Sequence, residues 1–501
     1  MMAARELANG YRLGALLEGL AELEPDREVT VQGLATDSRR VQPGDLFLAR
    51  AGRHTHGLRH LDQALAAGAA AVVWEPVPGA APPAAAVPAV AVPGLGQVLG
   101  VIADRFFGHP SGELAVIGVT GTDGKTSCSH FIAQALDEAT APCGLIGTLG
   151  YGRYGALDAG THTTPDAVAL QRELAGLRDA GARRVVMEAS SHALHQGRTT
   201  AVRFHTAVLT NLGRDHLDYH GDLASYADAK RGLFESPGLA HAVLNADDAF
   251  GRELLETLSG GLDTLAYGLQ ALPPDRPGVQ GDELVLDPRG LHLRVRSPWG
   301  SGTLTARLLG RFNASNLLAA LGALVVLGVP FEQALHRLGQ TATVPGRMEC
   351  FGGGPGQPLV VVDYAHTPQA LEQVLGALRE HCDGALWCVF GAGGERDAGK
   401  RPLMGRVAER LADRVVVTDD NPRNEDATQI VVDILAGLQA PDAVYVERDR
   451  GRAIALAVDR ARPGDVVLVA GKGHEDYQQI GARRVPFSDR EQVRARLGRP
   501  S

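Results

Sequence analysis

Apolar positions along this chain follow two rhythms. Short apolar runs of strand length fall at 114–120, 184–187, 206–210, 359–363, 386–390, 415–418 and 466–470, and segments with helical spacing alternate with them. Such runs, bounded by turn residues, predict parallel strands covered on both faces, the mark of an α/β protein. A helix over 61–67 and a strand over 70–74 extend the alternation to the N-terminal part, where a Pro/Ala-rich loop follows Glu75. A long apolar helix is expected over 314–327. Turn residues cluster at His109, Pro110, Ser111 and Gly112 and again at Val344, Pro345 and Gly346. Three domains follow, at 1–110, 111–345 and 346–501. The central one is built on a mostly parallel sheet, and the last is a Rossmann-like doubly wound domain.

Composition narrows the classes of function. A chain of 501 residues exceeds what one core supports. With 58 acidic against 49 basic side chains the net charge is −9, spread along the chain, which disfavours nucleic acid or an anionic membrane as partner. Five scattered cysteines without a C-x-x-C pair point to neither a zinc site nor a disulfide framework. Neither a signal peptide nor an apolar stretch of membrane-spanning length is apparent, so a cytoplasmic protein is expected.

The run 114–120 leads straight into G-T-D-G-K-T-S, residues 121–127, the strand-then-loop order of a P-loop ATPase domain. Densely charged phosphates need backbone N–H groups at close range, a helix N-terminus behind them and a lysine. Gly121 and Gly124 allow the close approach, Thr122, Asp123 and Ser127 complete the loop, Lys125 supplies charge and Thr126 a hydroxyl for magnesium. In the strict G-x-x-x-x-G-K-[ST] pattern the first glycine falls at Val119, whereas this chain has Gly118 one place early. Downstream, M-E-A-S-S-H brings Glu188, Ser190, Ser191 and His192 to a strand end, and N-L-G-R-D-H-L-D-Y-H packs Asp215, His216, Asp218 and His220 into one loop. That density suits a divalent ion or a phosphate, and equally a hydrogen-bonded surface turn. By local pattern Lys230 reads as a solvated helix residue.

Taken together, these blocks resemble the Mur ligase family, which builds the peptide stem of bacterial cell-wall precursors. T-T-P-D, E-A-S-S-H, N-L-G-R-D-H-L-D-Y-H, the Lys230 helix, G-R-F-N-A-S-N, P-G-R-M-E, D-Y-A-H-T-P, G-G-E-R-D-A-G-K-R-P, D-N-P-R and G-K-G-H-E occur in the family's order across nearly the whole chain. The resemblance is strongest to ligases that add the third stem residue to UDP-N-acetylmuramoyl-L-alanyl-D-glutamate. It implies an ADP-forming carboxylate–amine ligase using ATP and magnesium, with an acyl phosphate as intermediate. Lys125, Lys230 and His216 would be catalytic, with Lys230 carbamylated, and Thr126, Glu188, His216 and Lys230 would lie near the metal. Asn316, Arg347, Asp363 and His366 would line the other face of the nucleotide. Ser38 would lie near the uridine, and Thr163, Thr164, Ser190, Gln196 and Arg198 would contact the muramoyl dipeptide. Arg396, Asp420, Asn421, Pro422, Arg423, Gly471 and Glu475 would receive a free diamino acid. In similar ligases that use meso-diaminopimelate the arginine of D-N-P-R pairs with its distal carboxylate, so the resemblance at Arg423 favours that substrate over L-lysine or L-ornithine. A monomer is expected. Ala427, where the family has proline, and His56 depart from the pattern.

Three other readings compete. G-A-G-G-E-R at 391–396, followed by Asp419 or Asp420 after the next strand, is the outline of a dinucleotide site, although Arg396 replaces its third glycine. An NAD-dependent dehydrogenase would use it. A folylpolyglutamate-type ligase is a nearer rival, but is not expected to carry D-N-P-R or the first-domain sugar-nucleotide segment. A nucleotide-sensing binding protein would keep the loop without the chemistry.

Overall fold

The computed structural model describes residues 10–52, 55–160, 162–258, 261–287 and 290–498; the side chain of Asp218 lies outside that description. The chain forms two compact units. One comprises the residues up to Val279 together with Ala319–Pro330, the other Gln280–Leu318 together with the residues from Phe331 onward. The divide falls within the strand Gly278–Asp287 and the helix Arg311–Val326.

The first unit opens on a four-stranded parallel sheet, Gly33–Ala35, Asp45–Ala49, Ala71–Trp74 and Ala89–Ala91 in chain order. Its larger sheet runs, from one edge, Ala156–Asp158, Gly150–Arg153, Cys143–Gly147, Arg184–Glu188, Ala115–Thr120, Phe204–Leu209, His241–Asn245 and Asp263–Gly268. The last six of these strands are parallel to one another. Ala115–Thr120 lies between Arg184–Glu188 and Phe204–Leu209, so the loops leaving these three strands emerge side by side at the carboxyl edge. Four of the helices that follow are fixed by side-chain caps: Asp166 accepts from the amides of Val168 and Ala169, Ser190 from Ala193, Asp222 from Ser225 and Asp248 from Phe250 and Gly251.

The second unit contains a six-stranded sheet in the order Glu349–Gly352, Leu359–Asp363, Val466–Ala470, Leu386–Phe390, Arg414–Val417 and Tyr445–Val446, parallel except for its first strand. The strand period of two divides its side chains cleanly. Val361, Cys388 and Leu468 join the core beneath helices Pro368–Arg379, Lys400–Leu411 and Ala427–Leu435, whereas Val360, Val389 and Val467 join that beneath Arg450–Arg460 and Asp489–Leu497. Three antiparallel strands, Gly278–Asp287, Gly290–Ser297 and Gly300–Ala306, were not anticipated from the sequence. Their short alternating runs, Leu291, Leu293 and Val295 inward with Arg294 and Arg296 outward, lack the continuous apolar signal of the parallel strands.

Helix Asp489–Leu497 is tied to the sheet by an ion pair with no exposure on either partner. Asp489 accepts from Arg450 Nε and Nη2 at 2.7 Å each, and Arg450 Nη2 also donates to the carbonyl of Ala470 at the end of a central strand. Removing one partner strands a buried charge, so Asp489→Asn is expected to cost about 3–5 kcal/mol. Arg12→Ala, which breaks a pair with Glu28 in which Arg12 is three-quarters exposed, is expected to cost less than about 1 kcal/mol. Chemical denaturation combined with hydrogen exchange of helix Asp489–Leu497 separates the two; equal effects would refute the assignment.

Candidate functional site

The strand Ala115–Thr120 ends where its neighbour's Thr210 stands. Gly121 has φ +150°, and a Cβ there would fall 1.8 Å from Thr210 Oγ1, so only glycine passes. Gly118, the residue out of step with the motif, belongs to the strand: a Cβ on it would meet Phe204 and Leu233 at about 2.8–3.0 Å. It serves packing, and Gly121 serves the loop. Thr210 Oγ1 and Asn211 Nδ2 both donate to the carbonyl of Asp123, and the amides of Thr122 and Asp123 donate to the carbonyl and side-chain oxygens of Asn211. Gly124, at φ +81°, then starts the helix Lys125–Leu136 with no side chain capping it. First-turn amides that a helix leaves unbonded are an anion-binding element, here beside Ser127 on the first turn.

Two lysines meet on this loop. Lys125 Nζ donates to the carbonyls of Gly121 and Thr122, each at 2.8 Å, and Lys230 Nζ donates to the same Gly121 carbonyl at 2.7 Å. Lys230 is 1% exposed, so the helix Leu223–Phe234 carries it inward rather than into solvent. Burial, reinforced by the nearby charge of Lys125, pushes its pKa down to about 6. Tyr226, one helical turn earlier, places its ring 4.4 Å from Lys230 Nζ and its hydroxyl 3.2 Å from Thr122 Oγ1. The sequence pattern did not single out Tyr226; its spacing of four from Lys230 was the available signal.

On the other side of the loop Thr126 Oγ1 donates to Glu188 Oε2 at 3.0 Å. The buried Glu188 carboxylate also accepts from the amide and hydroxyl of Thr148, a residue the sequence reading missed. His216 lies beside Tyr226, with ring centroids 6.3 Å apart. With φ +53° it is exposed, close to Asp215 and edge-on to His192 with ring centroids 4.7 Å apart. Among the described residues no group of three or more His, Cys, Asp or Glu side chains could hold a metal alone. The Thr126 hydroxyl and Glu188 carboxylate nevertheless offer hard oxygen donors, and magnesium is typically held by one or two carboxylates together with phosphate oxygens and water.

Beyond Glu188 the polar residues form a chain of contacts. Thr164 Oγ1 donates to the Glu188 carbonyl and lies 3.1 Å from Ser190 Oγ, and the Thr163 and Thr148 hydroxyls are paired. Arg198 donates to Gln196 Oε1 through Nε and Nη2 and to the Thr164 carbonyl through Nη1. Gln196 donates to the Tyr219 hydroxyl at 2.9 Å. Thus Thr163, Thr164, Ser190, Gln196 and Arg198 are brought together. Ser38 stands in the smaller sheet's region, where its buried hydroxyl donates to Gln63. His56, flagged as a departure, caps a short turn by accepting from Leu58.

The second unit gathers its candidates at the carboxyl edge of the six-stranded sheet. Asp363 ends one strand and accepts from the amides of Met348 and Ala365; burial holds its carboxyl above the ordinary carboxylate value. The Arg347 guanidinium lies over the Tyr364 ring at 5.0 Å, and His366 stacks edge-on to the same ring. Asn316 donates to Asn313 Oδ1. Asp420 lies against Gly471, whose φ of +120° leaves no room for a Cβ. Asn421 donates to Glu475 Oε2 and accepts from the buried Lys472 and from the amide of Gln479. Pro422 leads into Arg423, which is held at φ +53°; its backbone is bonded to Gln479 and Gly481 and its Nη1 to the Gly394 carbonyl. Arg396 is exposed in the same loop as Gly394.

The outline of a dinucleotide site drawn with Asp419 is not met at this edge. The Asp419 carboxylate is already paired with Arg448 through Nε and Nη2, and the glycine-rich loop opens no helix until Lys400.

Comparison with known proteins agrees with this arrangement. Residues 30–107 match the Mur ligase family catalytic domain, 119–324 the Mur ligase middle domain and 346–473 the Mur ligase glutamate ligase domain. A UDP-N-acetylmuramoyl-L-alanyl-D-glutamate–2,6-diaminopimelate ligase of Alkalilimnicola ehrlichii is 55% identical over 495 residues, spanning 97% of this chain and 99% of that one. The protein of the same name from Pseudomonas aeruginosa is 52% identical, spanning 95% and 96%. A solved structure, also of a ligase with that name, superposes with a TM-score of 0.75 at 36% identity, covering 97% of this chain and 99% of that one. The chain belongs to the Mur ligase family.

Proposed function

We propose that this chain is the ATP-dependent ligase that joins meso-diaminopimelate to UDP-N-acetylmuramoyl-L-alanyl-D-glutamate in peptidoglycan precursor synthesis. The observation that carries the chemistry is the gathering of Lys125, Lys230 and the Thr126–Glu188 pair around one phosphate-type loop. A carboxylate is a poor electrophile and must be activated before an amine attacks it. The D-glutamate γ-carboxylate takes the γ-phosphoryl group of ATP, releasing ADP. The diamino acid's amine then displaces phosphate from the acyl phosphate, forming the amide and losing a proton. Positioning and charge stabilisation supply most of such catalysis, and no nucleophilic serine or cysteine is needed.

Within this reading the three segments 1–110, 111–345 and 346–501 bind the sugar nucleotide, ATP and the amino acid. Gly121, Thr122, Asp123, Gly124 and Ser127 shape the phosphate cradle, and Lys125 turns from the loop carbonyls to the phosphates. Thr126, Glu188, His216 and a carbamylated Lys230 would hold magnesium, which when bound would neutralise the phosphate charge that builds during transfer. Thr163, Thr164, Ser190, Gln196 and Arg198 orient the dipeptide and Ser38 the uridine end. Asn316, Arg347, Asp363 and His366 take the nucleoside side of ATP. In the second unit Arg423 and Arg396 face carboxylates, while Asp420 and Glu475 accept from ammonium groups. The chain acts as a monomer in the cytoplasm; no helix among the described residues is long and apolar enough to cross a membrane.

Lys230 is suited to carbamylation. With a pKa near 6 its amine is neutral at physiological pH, and a neutral amine adds to carbon dioxide with loss of one proton to give an anionic carbamate. That product suits a magnesium ligand, which an ammonium does not.

Two measurements test these readings. ADP and phosphate are expected only when UDP-muramoyl dipeptide and a diamino acid are both present. In a three-way competition meso-diaminopimelate should exceed L-lysine and L-ornithine by about 100-fold or more in kcat/KM, since a site built for a second carboxylate rejects analogues lacking it. Equal rates would overturn the choice of amino acid, and ATP binding without turnover would favour a nucleotide sensor. Second, with 13C-bicarbonate a carbamate carbonyl resonance should appear above pH 6 and fade as the pH falls through about 6, where the amine takes up its proton. It should be missing from Lys230→Ala, whose lost activity bicarbonate does not restore; full activity in that variant would remove the carbamate from the mechanism.

A further inference from the structure

The loops 391–399 and 420–426 that carry Arg396 and the D-N-P-R run touch backbone to backbone. A Cβ on Gly394 would lie 2.0 Å from the Pro422 carbonyl oxygen, and the Gly394 amide donates to the carbonyl of Asn421. Asn424 Nδ2 also donates to Glu395 Oε1 across the two loops, and one buried charged side chain is placed to span them as well. Arg401 fills that place. It is 1% exposed, yet it stands in the first turn of helix Lys400–Leu411, where a cation opposes the helix dipole. Its charge is met from the other loop and the helix beyond: Nη1 and Nη2 donate to the two oxygens of Glu425 at 2.6 and 2.7 Å, and Nη1 also donates to Asp433 at 2.8 Å. Glu425 in turn accepts from the amide of Glu395 at 2.9 Å, reaching back to the first loop. The guanidinium of Arg423 is bonded to the carbonyl of Gly394, between the residues that this pair secures.

We propose that the Arg401–Glu425 pair is a positioning clamp for the amino-acid site, setting where Arg423 presents its guanidinium. This rests on the assignment of that site in the preceding section. A clamp acting on Arg423 governs the amino acid alone, whereas a merely structural ion pair would affect all three substrates or only stability. Steady-state kinetics with each substrate varied in turn distinguish these. Arg401→Met is expected to raise KM for the amino acid roughly tenfold or more, with KM for ATP and for the UDP-dipeptide within about twofold of wild type. Glu425→Gln, which alters the partly exposed partner and keeps the fold should Arg401→Met lose it, is expected to change the same KM in the same direction. Arg401→Lys keeps the charge but not the two-pronged geometry and should restore the value only in part.

Thermal denaturation shows that each variant compared is folded. In folded variants, equal rises in all three KM values, or no change in the amino-acid KM, would overturn the clamp. The amino acid used is whichever the wild-type enzyme turns over in the competition assay. A wrong choice of amino acid is therefore seen in the wild type, and a wrong clamp only in the variants.

Discussion

Everything at the phosphate loop depends on how closely two neighbouring strand ends approach. Thr210 Oγ1 occupies the place a side chain on residue 121 would need, and the backbone there adopts a φ of +150°. With its loop held by Thr210 and Asn211, the Gly121 carbonyl accepts hydrogen bonds from the Nζ of both Lys125 and Lys230. The low basicity of Lys230 follows, since burial and a second cation both disfavour its charged form. One backbone carbonyl thus connects the anion cradle to the group that reads as its reactive partner.

Much of this was legible in the sequence, for identifiable reasons. Parallel strands covered on both faces leave unbroken apolar runs, so 359–363, 386–390 and 466–470 coincide with observed strands, while 114–120 and 206–210 shift by one or two residues where hydrogen-bond ladders set the ends. The loop was legible because phosphate chemistry demands glycine, lysine and hydroxyl in a fixed order. Lys230 was not. Its burial is produced by a loop 109 residues away, and the helix pattern around it does not register that. The same holds for Arg401, which looks like any basic residue of an exposed helix start until Glu425 and Asp433 are brought against it.

Polar residues near a site cannot be positioned by apolar contact without being desolvated, and the second unit shows the alternative. Its strand-end loops are held by charges that are themselves satisfied: Asp489 by Arg450, Asp419 by Arg448, Glu425 by Arg401 and Glu475 by Lys472. Asn421 is fixed in orientation because Lys472 and the Gln479 amide are donors only, so its oxygen faces them and its amide nitrogen faces Glu475. The sheet fixes where the loops leave, and ion pairs fix where they arrive.

That pattern separates two kinds of buried cation. Arg401, Arg450 and Lys472 each bond directly to a carboxylate, the arrangement that makes a buried charge tolerable and chemically inert. Among the described residues Lys230 has a carbonyl oxygen and the face of Tyr226 as direct contacts, with Asp123 and Asp215 acting only as more distant charges. A carbonyl and a ring face do not offset the loss of water as a carboxylate does, so Lys230 is driven toward its neutral, nucleophilic form. All four are equally removed from solvent, and what differs is how that burial is met: by a carboxylate at Arg401, Arg450 and Lys472, by a carbonyl and a ring face at Lys230.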